Sequence, residues 1–286
     1  MPNYVPYLLL SIASICTTVT LLVRTKSPYT VILSVSLSGM IYFFEYVVLV
    51  VLNAYRYNVQ LLDNPTLDSM IGAIVSNLFA VPTAAVVQVM LKLRLWWIFI
   101  FALIFTGIEW LFVHLGIFEH HWWRLHYTTA GISILLLIAV HLDRKIRQGS
   151  RFAQFFLLAA FSFCLVSSLE FALLLAGVRH YISGVFADSN QDDIIVYVPY
   201  ALLKSLLLSS VIFWTGKRKW FGVAVSLIVI LLSTLLLIRF KLLVPYIPEW
   251  QFILLYMACC LLSVSIIYGS THWIRGHLSR RVDNLP

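Results

Sequence analysis

Long apolar runs, broken at short intervals by polar clusters, dominate the chain. Each run is continuously apolar rather than apolar at every second position, the pattern of a helix in hydrocarbon and not of a barrel strand. A bilayer core about 30 Å thick takes roughly 20 residues of helix at 1.5 Å rise, because lipid offers no hydrogen-bond partner and the helix satisfies its own peptide groups. Nine stretches meet that requirement, at 4–23, 29–53, 66–91, 95–117, 123–142, 152–178, 192–215, 220–241 and 249–271. The predicted fold is an all-α polytopic membrane protein of nine transmembrane helices, with connections too short for a soluble domain. The opening Met1, Pro2, Asn3 and Tyr4 carry no basic charge and the first run passes directly into Arg24 and Lys26, so this run is expected to remain as a span rather than be cleaved.

Composition agrees with that reading. Of 286 residues, 61% are hydrophobic and 11% charged, with a mean hydropathy of +0.93, which excludes an ordinary soluble domain. The net charge of +8 would suggest nucleic acid in a soluble chain, so its distribution matters. Arg24, Lys26, Lys92, Arg94, Arg144, Lys145, Arg147, Arg151, Lys217, Arg218, Lys219, Arg275, Arg280 and Arg281 collect on one side of the nine spans. Arg56, Arg124, Arg179, Arg239 and Lys241 fall on the other side, and Lys204 falls inside a span. Because basic residues near span ends resist translocation, the richer side is assigned to the cytoplasm, which places the N-terminus outside and the C-terminus inside. Acids show the reverse bias: Asp63, Asp68, Glu119, Asp188, Asp192, Asp193 and Glu249 lie at outer ends, against Asp143 and Asp283 inside. The positive charge therefore sets topology in the bilayer, and nucleic acid is not an expected partner.

Shifting the chain by 125 residues superposes charges without a gap. Lys26 meets Arg151, Glu45 meets Glu170, Asp63 meets Asp188, Asp68 meets Asp193, Lys92 meets Lys217 and Arg94 meets Lys219, whereas Arg56 faces Tyr181. With so few charges, this agreement predicts an internal duplication into two parallel four-helix repeats, 1–125 and 126–248, followed by a ninth helix and basic tail at 249–286. An even number of spans per repeat gives both copies the same orientation. The correspondence fades after about position 95, where Glu109 would meet Thr234.

Charges inside the spans carry the candidate chemistry, since an ionised group in hydrocarbon is costly unless it faces water or a partner. Glu45, Glu109 and Glu170 lie in the outward halves of spans that run from inside to outside, and Asp68 and Asp193 enter from the outer side. Lys204 is the one deep cation and is expected to pair with Glu170. These six residues predict an outward-facing acidic cleft for an ion or small polar solute; the opposing reading is that they are protonated or paired and only hold helices together. The segment from Glu109 to His126 is rich in His and Trp but lacks a zinc-type spacing, and His120, His121, Trp122 and Trp123 are read as an interfacial belt. No metal or cofactor is expected. Cys16, Cys164, Cys259 and Cys260 all fall within spans, so core packing is predicted rather than disulfides, and Pro82 and Pro199 are expected to disturb their helices.

Residues 40 to 147 resemble a family of small multi-pass membrane proteins from endospore-forming Gram-positive bacteria. The likeness is carried by Asn64, Thr66, Leu67 and Asp68 opening a helix, Pro82 midway along it, Ile108-Glu109-Trp110 in the next span, Gly116, His121 and Trp122 in the turn, and His141 with Arg144 at the end. This chain is about twice as long, and its second copy lacks counterparts of Glu109 and His121. The resemblance implies a bacterial cytoplasmic membrane and a link to sporulation or germination, and it implies no reaction. Three classes of function remain: a carrier or channel, a non-catalytic scaffold or sensor, and an enzyme acting at the outer face through Glu109, Glu119 and the nearby histidines.

Overall fold

The computed structural model describes residues 2–214 and 219–282. Lys217 and Arg218, assigned to the cytoplasmic side, and Asp283 lie outside the described residues. Among the described residues nine helices are long and apolar enough to cross a membrane. The chain is a helical multi-pass membrane protein. Large apolar side chains such as Leu9, Phe99 and Leu203 are exposed, which a helix tolerates when its outer surface meets lipid rather than water. Serines within the spans hide their polarity by donating to the carbonyl four residues back, as Ser36, Ser38, Ser162 and Ser205 do.

The chain divides into two compact units, Met1–Ala153 and Gln154–Pro286. This boundary differs from the expected break near 125, because the helix Leu125–Arg147 packs along Trp96–His114 inside the first unit. The first unit contains α1 (Tyr4–Thr25), α2 (Tyr29–Glu45), β1 (Tyr55–Tyr57), α3 (Pro65–Ile74), α4 (Val81–Met90), α5 (Trp96–His114), β2 (Phe118–His120) and α6 (Leu125–Arg147). A π-helical turn, Tyr46–Val51, extends α2, and a second, Val75–Ala80, joins α3 to α4. The strands β1 and β2 pair antiparallel, with Tyr55 opposite His120 and Tyr57 opposite Phe118. Beneath them Tyr7, Tyr55, Tyr57, Phe112, Phe118 and Trp123 form a buried aromatic core.

The second unit contains most of α7 (Arg151–Leu175), then β3 (Arg179–Tyr181), α8 (Ser189–Trp214), α9 (Lys219–Arg239), β4 (Leu243–Pro245) and α10 (Glu249–Val282). Its order from α7 onward repeats that of the first unit from α2 onward. The strands β3 and β4 also pair antiparallel, Arg179 opposite Pro245 and Tyr181 opposite Leu243. These two short ribbons are the departure from the all-α expectation.

Each ribbon is followed by a loop folded around one carboxylate. Asp68 accepts backbone N–H bonds from Val59, Gln60, Leu61 and Leu62 at 2.8–3.1 Å. Asp192 accepts from Ser183, Gly184, Val185 and Phe186 at 2.7–3.1 Å. The next helix is capped alike: Asn64 Oδ1 accepts from Leu67 N, and Asp188 Oδ1 from Gln191 N. By role, then, Asp68 matches Asp192 and not Asp193, and Asn64 rather than Asp63 matches Asp188. Asp193 matches Ser69, since each accepts the N–H of the last strand residue, Tyr181 and Tyr57 respectively. The spacing in this region is 124, whereas Glu45 and Glu170 are 125 apart. The π-helical turn directly after Glu45 accounts for the difference, because a π turn holds one residue more than the α-helix it interrupts.

Candidate functional site

The six predicted site residues separate into three settings. Asp68 is consumed by the loop described above and lines neither of the two spaces described below. Glu170, Asp193 and Lys204 meet in the second unit, and Glu45 and Glu109 meet in the first.

In the second unit, Lys204 projects from α8 onto the carboxylate of Glu170 on α7. The expected pairing is present. Two further partners escaped sequence reasoning. Tyr256, on α10, donates its hydroxyl to Glu170 Oε1 at 2.7 Å and lies 2.5 Å from Lys204 Nζ. Arg179, sorted by sequence among the outer-loop bases, is fully buried. Its Nη1 reaches Asp193 Oδ2 at 2.7 Å, and its Nη2 reaches Glu170 Oε2 at 3.0 Å and the Glu170 carbonyl at 2.8 Å. Burial alone would lower the Arg179 pKa, but the Glu170 and Asp193 charges outweigh it and hold the guanidinium above its ordinary value. Two acids face Arg179 and Lys204, with His180 Nδ1 a further 3.3 Å from Asp193 Oδ2, and the space beside the cluster is only about 20 Å³, enough for one water. Nothing in the sequence marks Arg179 as buried: under the shift of 125 it lies two places from Tyr181, which faces Arg56, and a basic residue in a short loop reads as solvated.

The first unit has a cavity of about 300 Å³ where the second is filled. Glu45 enters it from α2, Ser76 and Asn77 from the π turn before α4, Glu109 from α5, and Thr128 from α6, under a roof of Tyr55, Tyr57 and Phe118 from the ribbon. The second π turn lines this cavity through Ser76 and Asn77 and the first starts directly after Glu45, and π turns often mark functional sites because they re-aim side chains at the cost of regular bonding. Two residues past the end of the second comes Pro82, which lacks an N–H to give the Leu78 carbonyl; Ser38 Oγ stands 3.5 Å from that carbonyl instead. The helix carrying Pro199 shows no such turn.

Glu45 is 7% exposed. Its Oε2 accepts from the Tyr55 hydroxyl at 2.9 Å. Burial pushes the Tyr55 phenol well above its ordinary pKa and the Glu45 charge pushes the same way, so Tyr55 keeps its proton and is the donor. Asn77 and Tyr57 stand beside the carboxylate, but no described residue completes a hydrogen bond to Oε1. Glu109 is better served: His120 Nε2 lies 2.7 Å from Oε1, and the Thr128 hydroxyl donates to Oε2 while accepting from Trp123 Nε1 at 2.8 Å. His121 and Trp122 do not serve only as a belt. His121 Nδ1 and Trp122 Nε1 bond the carbonyls of Asn53 and Leu52, each at 2.8 Å, closing the end of the π turn that follows Glu45. Among the described residues neither Lys nor Arg lines the cavity, and no three His, Cys, Asp or Glu side chains group to hold a metal ion. Comparison with protein-family models, with curated proteins and with solved structures finds no match to the chain.

Proposed function

We propose that the chain is a carrier or channel that binds an ion or small polar solute in the acidic cavity of its first unit, and that the solute is positively charged. One observation carries this reading: Glu45 and Glu109 wall a single cavity about 300 Å³ in volume that no described Lys or Arg enters. That volume lies at the lower end of small-molecule sites. Two carboxylates in a low-dielectric pocket favour a cation over an anion or a neutral solute. The outer-side position of the cavity follows from the bias of the basic loops, which supports an N-terminus outside and a C-terminus in the cytoplasm. The resemblance in residues 40 to 147 supports a bacterial cytoplasmic membrane and a role in sporulation or germination.

We also infer that the units descend from one four-helix ancestor, with α1 added to the first. Matching element order, strand pairing, carboxylate-clamped loops and helix caps support this. Under that reading, the second unit has exchanged the site for a fixed ion network and works as a scaffold. Cation uptake into proteoliposomes tests the carrier reading: the double variant Glu45→Gln with Glu109→Gln is expected to lose uptake to below a tenth of the wild-type rate. Unchanged uptake in that variant, properly folded, would overturn it.

A further inference from the structure

We propose that the first-unit cavity takes a small organic cation bearing a primary ammonium group, and that Lys204 occupies the matching place in the second unit as a tethered counterpart of that ligand. The inference rests on reading the cavity as a solute site and adds the chemistry of the solute.

The two places correspond wall by wall. Ile41 and Phe44 precede Glu45 by four and one residues, as Val166 and Leu169 precede Glu170, and all four line their respective spaces. On the closing helix, Ile132 and Leu135 of α6 stand as far from its start as Tyr256 and Cys259 do on α10, and these too are lining residues. In the second unit this space has shrunk to about 20 Å³ because the Lys204 ammonium stands in it. It meets the Glu170 carboxylate and the Tyr256 hydroxyl, and lies 4.5 Å and 4.8 Å from the ring centroids of Tyr200 and Tyr256. A carboxylate, a phenol and aromatic faces together are a recognition set for an ammonium ion.

The first unit presents the same kind of set without the ammonium. Glu45 keeps one buried carboxylate oxygen to which no described residue completes a hydrogen bond, with Asn77 and Tyr57 standing beside it. Tyr55, Tyr57, Phe118 and Trp123 supply aromatic walls, and Glu109 supplies a second carboxylate. The charge missing here is the one that the second unit carries on its own chain. An alkali or divalent ion is a poorer fit, because hard cations need several converging oxygens and most of this wall is aromatic or aliphatic.

The test uses the full-length protein in lipid nanodiscs and n-butylammonium, the lysine side chain freed from its backbone. Calorimetric titration is expected to give saturable binding that 1-butanol, the neutral isostere, does not compete for and that equimolar K⁺ does not displace. Glu45→Gln should weaken it by roughly tenfold or more, the loss expected when one partner of a buried charge pair is removed. Lys204→Ala should melt at a lower temperature, and n-butylammonium, but not 1-butanol, should restore part of the loss. Equal binding of amine and alcohol, or full binding by Glu45→Gln, would overturn the proposal; should that variant fail to fold, Glu109→Gln and the wild-type competition decide. Wild-type protein that binds n-butylammonium but carries none would remove the carrier reading alone. Glu45-dependent uptake of K⁺ without n-butylammonium binding would remove this inference alone.

Discussion

At Gly72 a methyl group would collide with Tyr57, whose Cγ lies 2.7 Å from the position it would take. Tyr57 is held on its other sides by the buried aromatic core and by the bond from its N–H to Ser69, so it has nowhere to retreat. Gly72→Ala is therefore expected to lower stability by about 1–3 kcal/mol, the usual cost of overpacking. Gly107→Ala, on α5 with open space around it, should be neutral, and thermal unfolding in detergent compares the two. The paired differences between the units are equally specific. Tyr55 and Ser69 stand where Arg179 and Asp193 stand in the second unit, so two neutral side chains occupy the places of an ion pair. Arg179→Tyr alone leaves Asp193 buried without its cation, a change that typically costs about 3–5 kcal/mol. Adding Asp193→Ser should recover at least half of that loss. Additive losses in the double variant would show that the two positions are not coupled.

At the scale of elements, Asp68 and Asp192 do by themselves what a longer hydrogen-bonded turn would otherwise do. Each gathers four consecutive N–H groups that have no strand or helix partner, and a hydrogen bond to a charged group contributes about 1.5–3 kcal/mol net of its exchange with water. Asp68→Asn is expected to speed amide exchange at 59–62, and Asp192→Asn at 183–186, each leaving the other loop unaffected. Hydrogen exchange read by mass spectrometry checks this locality. The sequence showed these aspartates as outer-side acids but not their work, because backbone donors leave no mark in a pattern of side chains. The helices were legible, since hydrocarbon imposes length and continuity on every span. The ribbons were not: three residues are too few to display alternation. The gap-free shift of 125 pairs Glu45 with Glu170, but it pairs Asp68 with Asp193 where the clamped loops match it to Asp192, because one extra residue in a π turn moves every later position by one. Glu109 was visible as an intramembrane acid, whereas its convergence with Glu45 depends on how α2 and α5 face each other, which spacing within either helix does not encode.

For the molecule as a whole, the ribbons constrain how the chain threads the bilayer. The strand β1 lies between the second and third spans and β2 between the fourth and fifth, so they can pair only if an even number of crossings separates them. The same holds for β3, between the sixth and seventh, and β4, between the eighth and ninth. A span wrongly added or omitted between the paired strands of either unit would put them on opposite faces of a layer about 30 Å thick. Parity requires that the two loops of each ribbon share a side, and the proposed choice of side rests on the basic residues: Arg144, Lys145 and Arg147 occupy the last turn of α6, at the end away from β2. The proposed orientation makes a direct prediction in a chain whose Cys16, Cys164, Cys259 and Cys260 are replaced by alanine. Ala187→Cys, exposed in the loop after β3, should react with an impermeant maleimide added to intact cells. Gln148→Cys, exposed between α6 and α7, should react only after the membrane is opened. The reverse labelling would turn the chain over, move the mouth of the Glu45 cavity to the cytoplasmic side, and make its ligand a solute collected from within the cell.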